Sequence, residues 1–198
     1  ILVAFGRVLN TENIGLENIG IKLVNKQIHV NEKMQTSVPG IYAVGDAIGG
    51  MYAHTAFAEG EIAAKNAMAT PATIDHRVVP RCVYSVPETA SVGLTEKQAR
   101  EKDVKVRIGR FPYAYNGRAL TLSEPDGLVK VIADEEIGEI LGVHIIGFSA
   151  TDLIAEASLA MKLECTLDEV ADTIHAHPTL TEAFKEAVLD AKGRAVHK

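Results

Sequence analysis

The sequence has no tryptophan, only two cysteines in 198 residues, and 5% aromatic residues. Cys82 and Cys165 stand far apart, so there is no CxxC, no zinc-ligand spacing and no dense disulfide framework. The simplest compartment for such a chain is a reducing one, the cytoplasm. No apolar stretch reaches the roughly 18–20 residues of a membrane span. The longest, such as Leu141 to Phe148, are strand-sized and broken by glycine and histidine. Basic clusters are also missing. With 20 Lys+Arg against 26 Asp+Glu the net charge is −6 and the acids are dispersed. That argues against nucleic acid, whose phosphates call for clustered cations. No G-x-G-x-x-G dinucleotide fingerprint occurs.

What is present is ordinary for a globular protein: 47% apolar and 23% charged residues. The chain opens on Ile1-Leu2-Val3-Ala4-Phe5, closed by Gly6-Arg7. Such a run reads as a strand buried on both faces of a parallel sheet. A strand of that kind needs parallel neighbours, which arrive through long crossovers. The expectation is a piece of a longer α/β protein.

The first third continues in α/β style. An extended piece is predicted around Gln27–Val30 and a short buried strand at Ile41–Val44. A glycine-containing loop then leads to an Ala-rich helix from about His54 to Ala69, stopped by Thr70-Pro71. The pattern changes near Ile74–Pro80. Strands are predicted at Arg81–Ser85, Ala90–Val92, Val104–Ile108, Leu128–Ala133 and Ile140–Ile146, the last two as a hairpin. Helices are predicted at Thr95–Lys102, with Thr95 as N-cap, and near Asp152–Leu163, Asp168–Thr173 and Leu180–Ala191. Strands first and helices after suggest an α+β domain, an antiparallel sheet with helices on one face. Residues 1–77 and 78–198 are the two expected domains.

Two segments carry chemistry. In Gly40-Ile41-Tyr42-Ala43-Val44-Gly45-Asp46 a strand ending in Gly-Asp places a carboxylate where α/β sheets bind ligands. Gly45 lets a backbone approach closely, and Asp46 can accept hydrogen bonds from polyol hydroxyls. The alternative is Asp46 as a turn residue or local cap. The second segment is His175-Ala176-His177-Pro178-Thr179-Leu180-Thr181-Glu182. Pro178 keeps His177 out of helical geometry. Glu182, in the next helical turn, can reach back to one ring nitrogen, fixing the tautomer of a general base. By spacing alone, however, Thr179-x-x-Glu182 reads first as a capping box. His175 reads as a packing or hydrogen-bonding residue. The Tyr113–Arg118 stretch reads as a loop, and both cysteines read as small buried hydrophobes.

Taken together, these segments resemble the flavin-dependent pyridine nucleotide–disulfide oxidoreductases, and within them the members that oxidise dihydrolipoamide. Ile1–Arg7 resembles the last strand of the family's NAD domain, and Thr36–Ala47 its second FAD motif, continued by Met51-Tyr52-Ala53-His54 and Glu59-Gly60. Cys82–Thr95 resembles the start of the dimerisation domain. The run His175 to Phe184 is the most specific piece. The resemblance implies that Asp46 with Gly45 binds FAD, that Met51, Tyr52, Ala53 and His54 line the flavin, and that Gly6 lies against NAD. It implies His177 as acid–base catalyst and Glu182 as its orienting partner, serving the disulfide of the other subunit in a homodimer. A lipoyl-bearing subunit of a 2-oxo acid dehydrogenase or glycine cleavage complex is the implied partner. The family's redox-active cysteine pair and FAD phosphate loop are not in this sequence, so the chain alone is expected to be inactive. The competing readings are a glutathione or mercuric reductase-like enzyme and a non-catalytic dimerisation module.

Overall fold

The computed structural model describes all 198 residues. They form two compact units, Ile1–Asp75 and His76–Lys198. The boundary read from the sequence, between 77 and 78, falls inside the short 3-10 turn His76–Val78 that opens the second unit. No helix is long and apolar enough to cross a membrane.

The first unit is built on a small hairpin, β1 (Leu23–Val24) and β2 (Gln27–Ile28), and on helix α1 (Ala53–Ala67). Its core gathers Ile21, Ile28, Met34 and Ile48, with Ile62 and Ala63 of α1 against them. Helix α1 forms over the predicted stretch and passes through Gly60 without a break. It ends at a Met68 cap, before Thr70-Pro71. Two expectations fail here. Ile1–Phe5 is in no strand, and Ile1, Leu2 and Phe5 are almost wholly exposed. Its apolar run is suited to burial, but no strand of the described chain hydrogen-bonds to it, and a strand exists only by pairing. Ile41–Val44 likewise makes only an isolated bridge, Gln35 to Tyr42, and stays half-buried.

The second unit is an antiparallel five-stranded sheet with strand order β3-β4-β7-β6-β5. Its strands are β3 (Arg81–Val83), β4 (Thr89–Gly93), β5 (Val106–Pro112), β6 (Leu128–Asp134) and β7 (Ile140–Ile146). Three of the predicted helices appear as α2 (Glu96–Glu101), α4 (Ala150–Lys162) and α5 (Leu167–Asp172). Thr95 caps α2 in a full capping box with Gln98, and Thr166 does the same for α5 with Glu169. Helix α6 (Glu182–Ala191) starts later than Leu180. Period-two alternation assigns the faces. Phe111, Val129, Ile145 and Ala90 stand opposite one another across four strands, each at most 4% exposed. The offset row is Arg110, Lys130, His144 and Ser91, and there Glu96 of α2 binds Lys130 at 2.6 Å and Arg110 at 3.3 Å. The apolar row belongs to one core with Ile154 and Ala157 of α4 and with Ala183, Phe184 and Val188 of α6. The α+β architecture with the long helices on the apolar face is therefore the observed one.

Tyr113–Arg118 differs from the predicted loop. Tyr113 is fully buried in a 3-10 turn, and Asn116 caps a short helix, α3 (Gly117–Thr121). Cys82 and Cys165 are unpaired and only half-buried, both packed at the edge of the main core. Burial, with Glu88 and Asp152 nearby, pushes the Cys82 thiol up, which keeps it in the unreactive protonated form.

Helix α6 sits on β5 at Gly109, where there is no room for a side chain. A Cβ at Gly109 would overlap the Ala187 carbonyl and stand 2.6 Å from the Ala191 nitrogen. Gly109→Ala should therefore push α6 off the sheet and cost about 3 kcal/mol, the upper part of the usual overpacking range. Urea unfolding of the variant reads this directly; an unchanged midpoint would mean that the helix seat is looser than described.

Candidate functional site

The His-Pro-Thr segment between α5 and α6 is fixed at both of its ends. On one side His175, its side chain 4% exposed, has Nε2 2.7 Å from Glu156 of α4 and Nδ1 3.1 Å from the Thr173 carbonyl. On the other, buried Asn116 donates from Nδ2 to the Thr179 carbonyl at 3.0 Å, while its Oδ1 caps α3 through the Ala119 N–H. Between these anchors lies His177, followed by a cis peptide bond to Pro178.

His177 Nδ1 lies 3.0 Å from Glu182 Oε1. The other carboxylate oxygen, Oε2, accepts the Thr179 N–H at 2.8 Å. The two alternatives read from the sequence are thus both realised, one on each oxygen. The capping box is only half-made. Thr179 Oγ1 turns to the Ala176 carbonyl and to Thr181, and α6 begins at Glu182 with no side-chain cap. An ionised carboxylate can only accept, so His177 donates from Nδ1 and presents Nε2 as a free lone pair. Burial pushes the Glu182 carboxyl up, but the Thr179 N–H, the His177 contact and the charges of His177 and His197 outweigh it. The group is held below the usual carboxylate range and stays ionised. His177 is mostly exposed, with 76% of its side chain open, while Glu182 is at 23%. Such an arrangement can serve as a general base, since the carboxylate beside the ring is sheltered and the outer nitrogen is accessible.

In the first unit, Gly45 and Asp46 lie in a 3-10 turn, Gly45–Ile48, rather than at a strand end. The turn is held from below by Glu59 of α1. Its carboxylate is buried and accepts the Gly45 N–H at 2.7 Å. Asp46 is left exposed, with Arg7 3.7 Å away, and Arg7 also donates to the Met51 carbonyl at 2.9 Å. Tyr52 and His54 stack with ring centroids 5.4 Å apart at the start of α1. Ala53 is the first residue of α1, whose N-terminus has no side-chain cap. Gly6, at a positive φ, lies in the exposed opening segment with open space around its α-carbon. An exposed carboxylate on a braced glycine turn, beside uncapped helix N–H groups, fits the hydroxyls of a polyol chain and an electron-rich ring edge.

The structure thus brings His177 and Glu182 into contact and gathers Gly45, Asp46 and Met51 to His54 within one stretch of the first unit. Sequence reasoning placed Glu59 only as part of the FAD-like motif and Asn116 only in a loop, and missed that these two buried polar residues brace the segments. Their only signals were a carboxylate inside an Ala-rich helix and an Asn-Gly pair after two tyrosines.

Comparison with known proteins agrees with this division. Residues 79–188 match the pyridine nucleotide-disulphide oxidoreductase dimerisation domain, and residues 1–60 match the pyridine nucleotide-disulphide oxidoreductase domain. The chain is 51% identical over 198 residues to a dihydrolipoyl dehydrogenase of Bacillus subtilis, covering 99% of this chain and 42% of that protein. It is 42% identical to the mitochondrial dihydrolipoyl dehydrogenase of Sus scrofa, covering all of this chain and 39% of that protein. Among solved structures, LpdA of Mycobacterium tuberculosis superposes with a TM-score of 0.84 at 31% identity, covering 91% of this chain and 40% of that one. The chain therefore spans about two fifths of the length of the curated relatives it matches. Its match to the dimerisation domain, over more than half of its residues, makes it a member of the pyridine nucleotide–disulphide oxidoreductases.

Proposed function

We propose that this chain is the C-terminal portion of a dihydrolipoyl dehydrogenase, and that His177 and Glu182 are its acid–base pair. The observation that carries the reading is the 3.0 Å contact from His177 Nδ1 to Glu182, with the ring otherwise open. In the complete enzyme, Nε2 of His177 takes the proton from one thiol of a dihydrolipoyl group. The resulting thiolate attacks the enzyme's redox-active disulfide, breaking its S–S bond and forming a mixed disulfide. The second thiol then closes the lipoyl ring and releases the mixed disulfide as a dithiol. Glu182 stabilises the imidazolium between these steps. Bound FAD supplies the route by which the electron pair reaches NAD. On this reading Gly45 and Asp46 hold the polyol chain of FAD, Met51, Tyr52, Ala53 and His54 line the flavin, and Gly6 faces NAD.

The disulfide served by His177 belongs to the other subunit, so the working enzyme is a homodimer formed through residues 78–198. Its electron donor is a lipoyl-bearing subunit of a 2-oxo acid dehydrogenase or glycine cleavage complex. The two unpaired cysteines support placement in a reducing compartment, the cytoplasm. The 198-residue chain alone turns nothing over, because the disulfide and the FAD phosphate loop lie outside it.

In the full-length protein, His177→Ala should lower dihydrolipoamide oxidation by at least ~10²-fold, the usual loss on removing a general acid–base group. Stopped-flow or steady-state NADH formation measures this, and wild-type rates in the variant would return His177 to a structural role. Light scattering of the same protein at micromolar concentration should give the mass of two chains; a monomer would remove the shared site.

A further inference from the structure

A further imidazole–carboxylate contact lies next to the His177–Glu182 pair. Helix α6 ends in a Schellman motif. Gly193, at φ +68°, donates to the Asp190 carbonyl at 2.9 Å, and Arg194 donates to that of Leu189 at 2.8 Å. This turn sends the 194–198 segment back along the helix. There Glu186, its side chain 7% exposed, receives three contacts: the Val196 N–H at 2.9 Å, the His197 N–H at 3.3 Å, and His197 Nδ1 at 2.8 Å. Glu186 lies one helical turn after Glu182, on the same side of α6. His177, Glu182, Glu186 and His197 line one small cleft of about 40 Å³, shared with Tyr115 and Asn116.

Packing does not require a carboxylate at position 186. A buried acid is costly unless its oxygens are matched, and here they are spent wholly on holding the 194–198 segment. The result is a second ionisable ring at the mouth of the first pair. We propose that Glu186 and His197 are positioning residues for the His177–Glu182 pair: Glu186 latches the 194–198 segment to the cleft, and His197 sets the charge that the pair feels there. This rests on the acid–base reading of His177 and Glu182 given above.

The groups facing His197 are few. Glu186 and Glu182 come from α6, His177 from the segment before it, and Tyr115 from the turn after β5. Lys198 is committed to Asp190 at 2.7 Å. Arg110, on the other face of the sheet, pairs with Glu96. A proton on His197 therefore favours the charged form of Glu182, as the electrostatic contribution of His197 to that carboxyl indicates. The same positive charge opposes a proton on His177, because like charges repel. Removing His197 should let the pair keep its proton to higher pH.

The test uses the full-length, FAD-loaded enzyme with its histidines labelled with ¹³C at Cε1, so that each ring titrates as a separate signal. His197→Gln should raise the midpoint of the His177 titration, the direction expected when a like charge is removed from the cleft. The acid limb of kcat/KM should move by the same amount, and both shifts should shrink in high salt. In a Glu186→Ala background the effect of His197→Gln should vanish, because the ring is no longer held in the cleft. Coincident His177 curves in wild type and His197→Gln would overturn the proposal, as would an undiminished effect of His197→Gln in the Glu186→Ala background. The acid–base reading fails separately: if His177→Gln turns over at wild-type rates while the titration shift is present, the coupling stands and the catalytic role does not.

Discussion

The second unit depends on how closely α6 lies on the sheet. Gly109 removes the side chain that would hold the helix away, so Ala187 and Ala191 meet the β5 backbone directly. Both carboxylates of the His177 cleft stand on that helix. Glu182 opens it, Glu186 follows one turn later, and its last carbonyls set the direction of the returning segment. The distance from His177 to its acid is thus a property of sheet packing as much as of the local loop. The buried apolar row from Phe111 through Val129 and Ile145 to Ala90 makes the platform rigid. A close-packed core allows little slack.

The His-Pro-Thr segment has no regular structure of its own, and its position comes from buried polar ties rather than from propensity. His175 reaches α4 and Asn116 holds Thr179. Glu182 joins the segment to the helix through both of its oxygens. The first unit uses the same device, with buried Glu59 holding the Gly45 turn. In each case a side chain on a stable helix or capped turn fixes a glycine- or proline-containing loop, leaving its reactive group exposed. Binding and catalytic groups commonly sit on loops braced in this way by a rigid scaffold.

Much of the fold of residues 76–198 was legible because its signals are local. Two apolar runs flanking a short polar turn marked β6 and β7 as a hairpin, and Thr95 announced α2 three residues ahead of its capping partner Gln98. Failures came where the deciding contact lies elsewhere in the chain. Ile1–Phe5 has the composition of a buried strand, yet pairing is not a property of one segment. Tyr113 read as a loop residue, although its burial is set by Gly127 and Gly147 packing against its ring. For the candidate site, His177 and Glu182 were visible because they lie only five positions apart. The bracing contacts of Glu59, Asn116, Glu186 and His197 were not, since each acts across 10 to 63 positions of sequence or through a helix end whose course only the structure reveals.

The divided carboxylate of Glu182 has one more implication. An amide of the same shape could keep both of its contacts, with its oxygen on the Thr179 N–H and its nitrogen toward His177. It would then donate where the acid accepts. The ring would have to reverse its tautomer, with a hydrogen moving to Nε2 and the lone pair turning inward. Such a molecule would be superposable on the original atom for atom, yet its outward nitrogen would offer a hydrogen instead of receiving one.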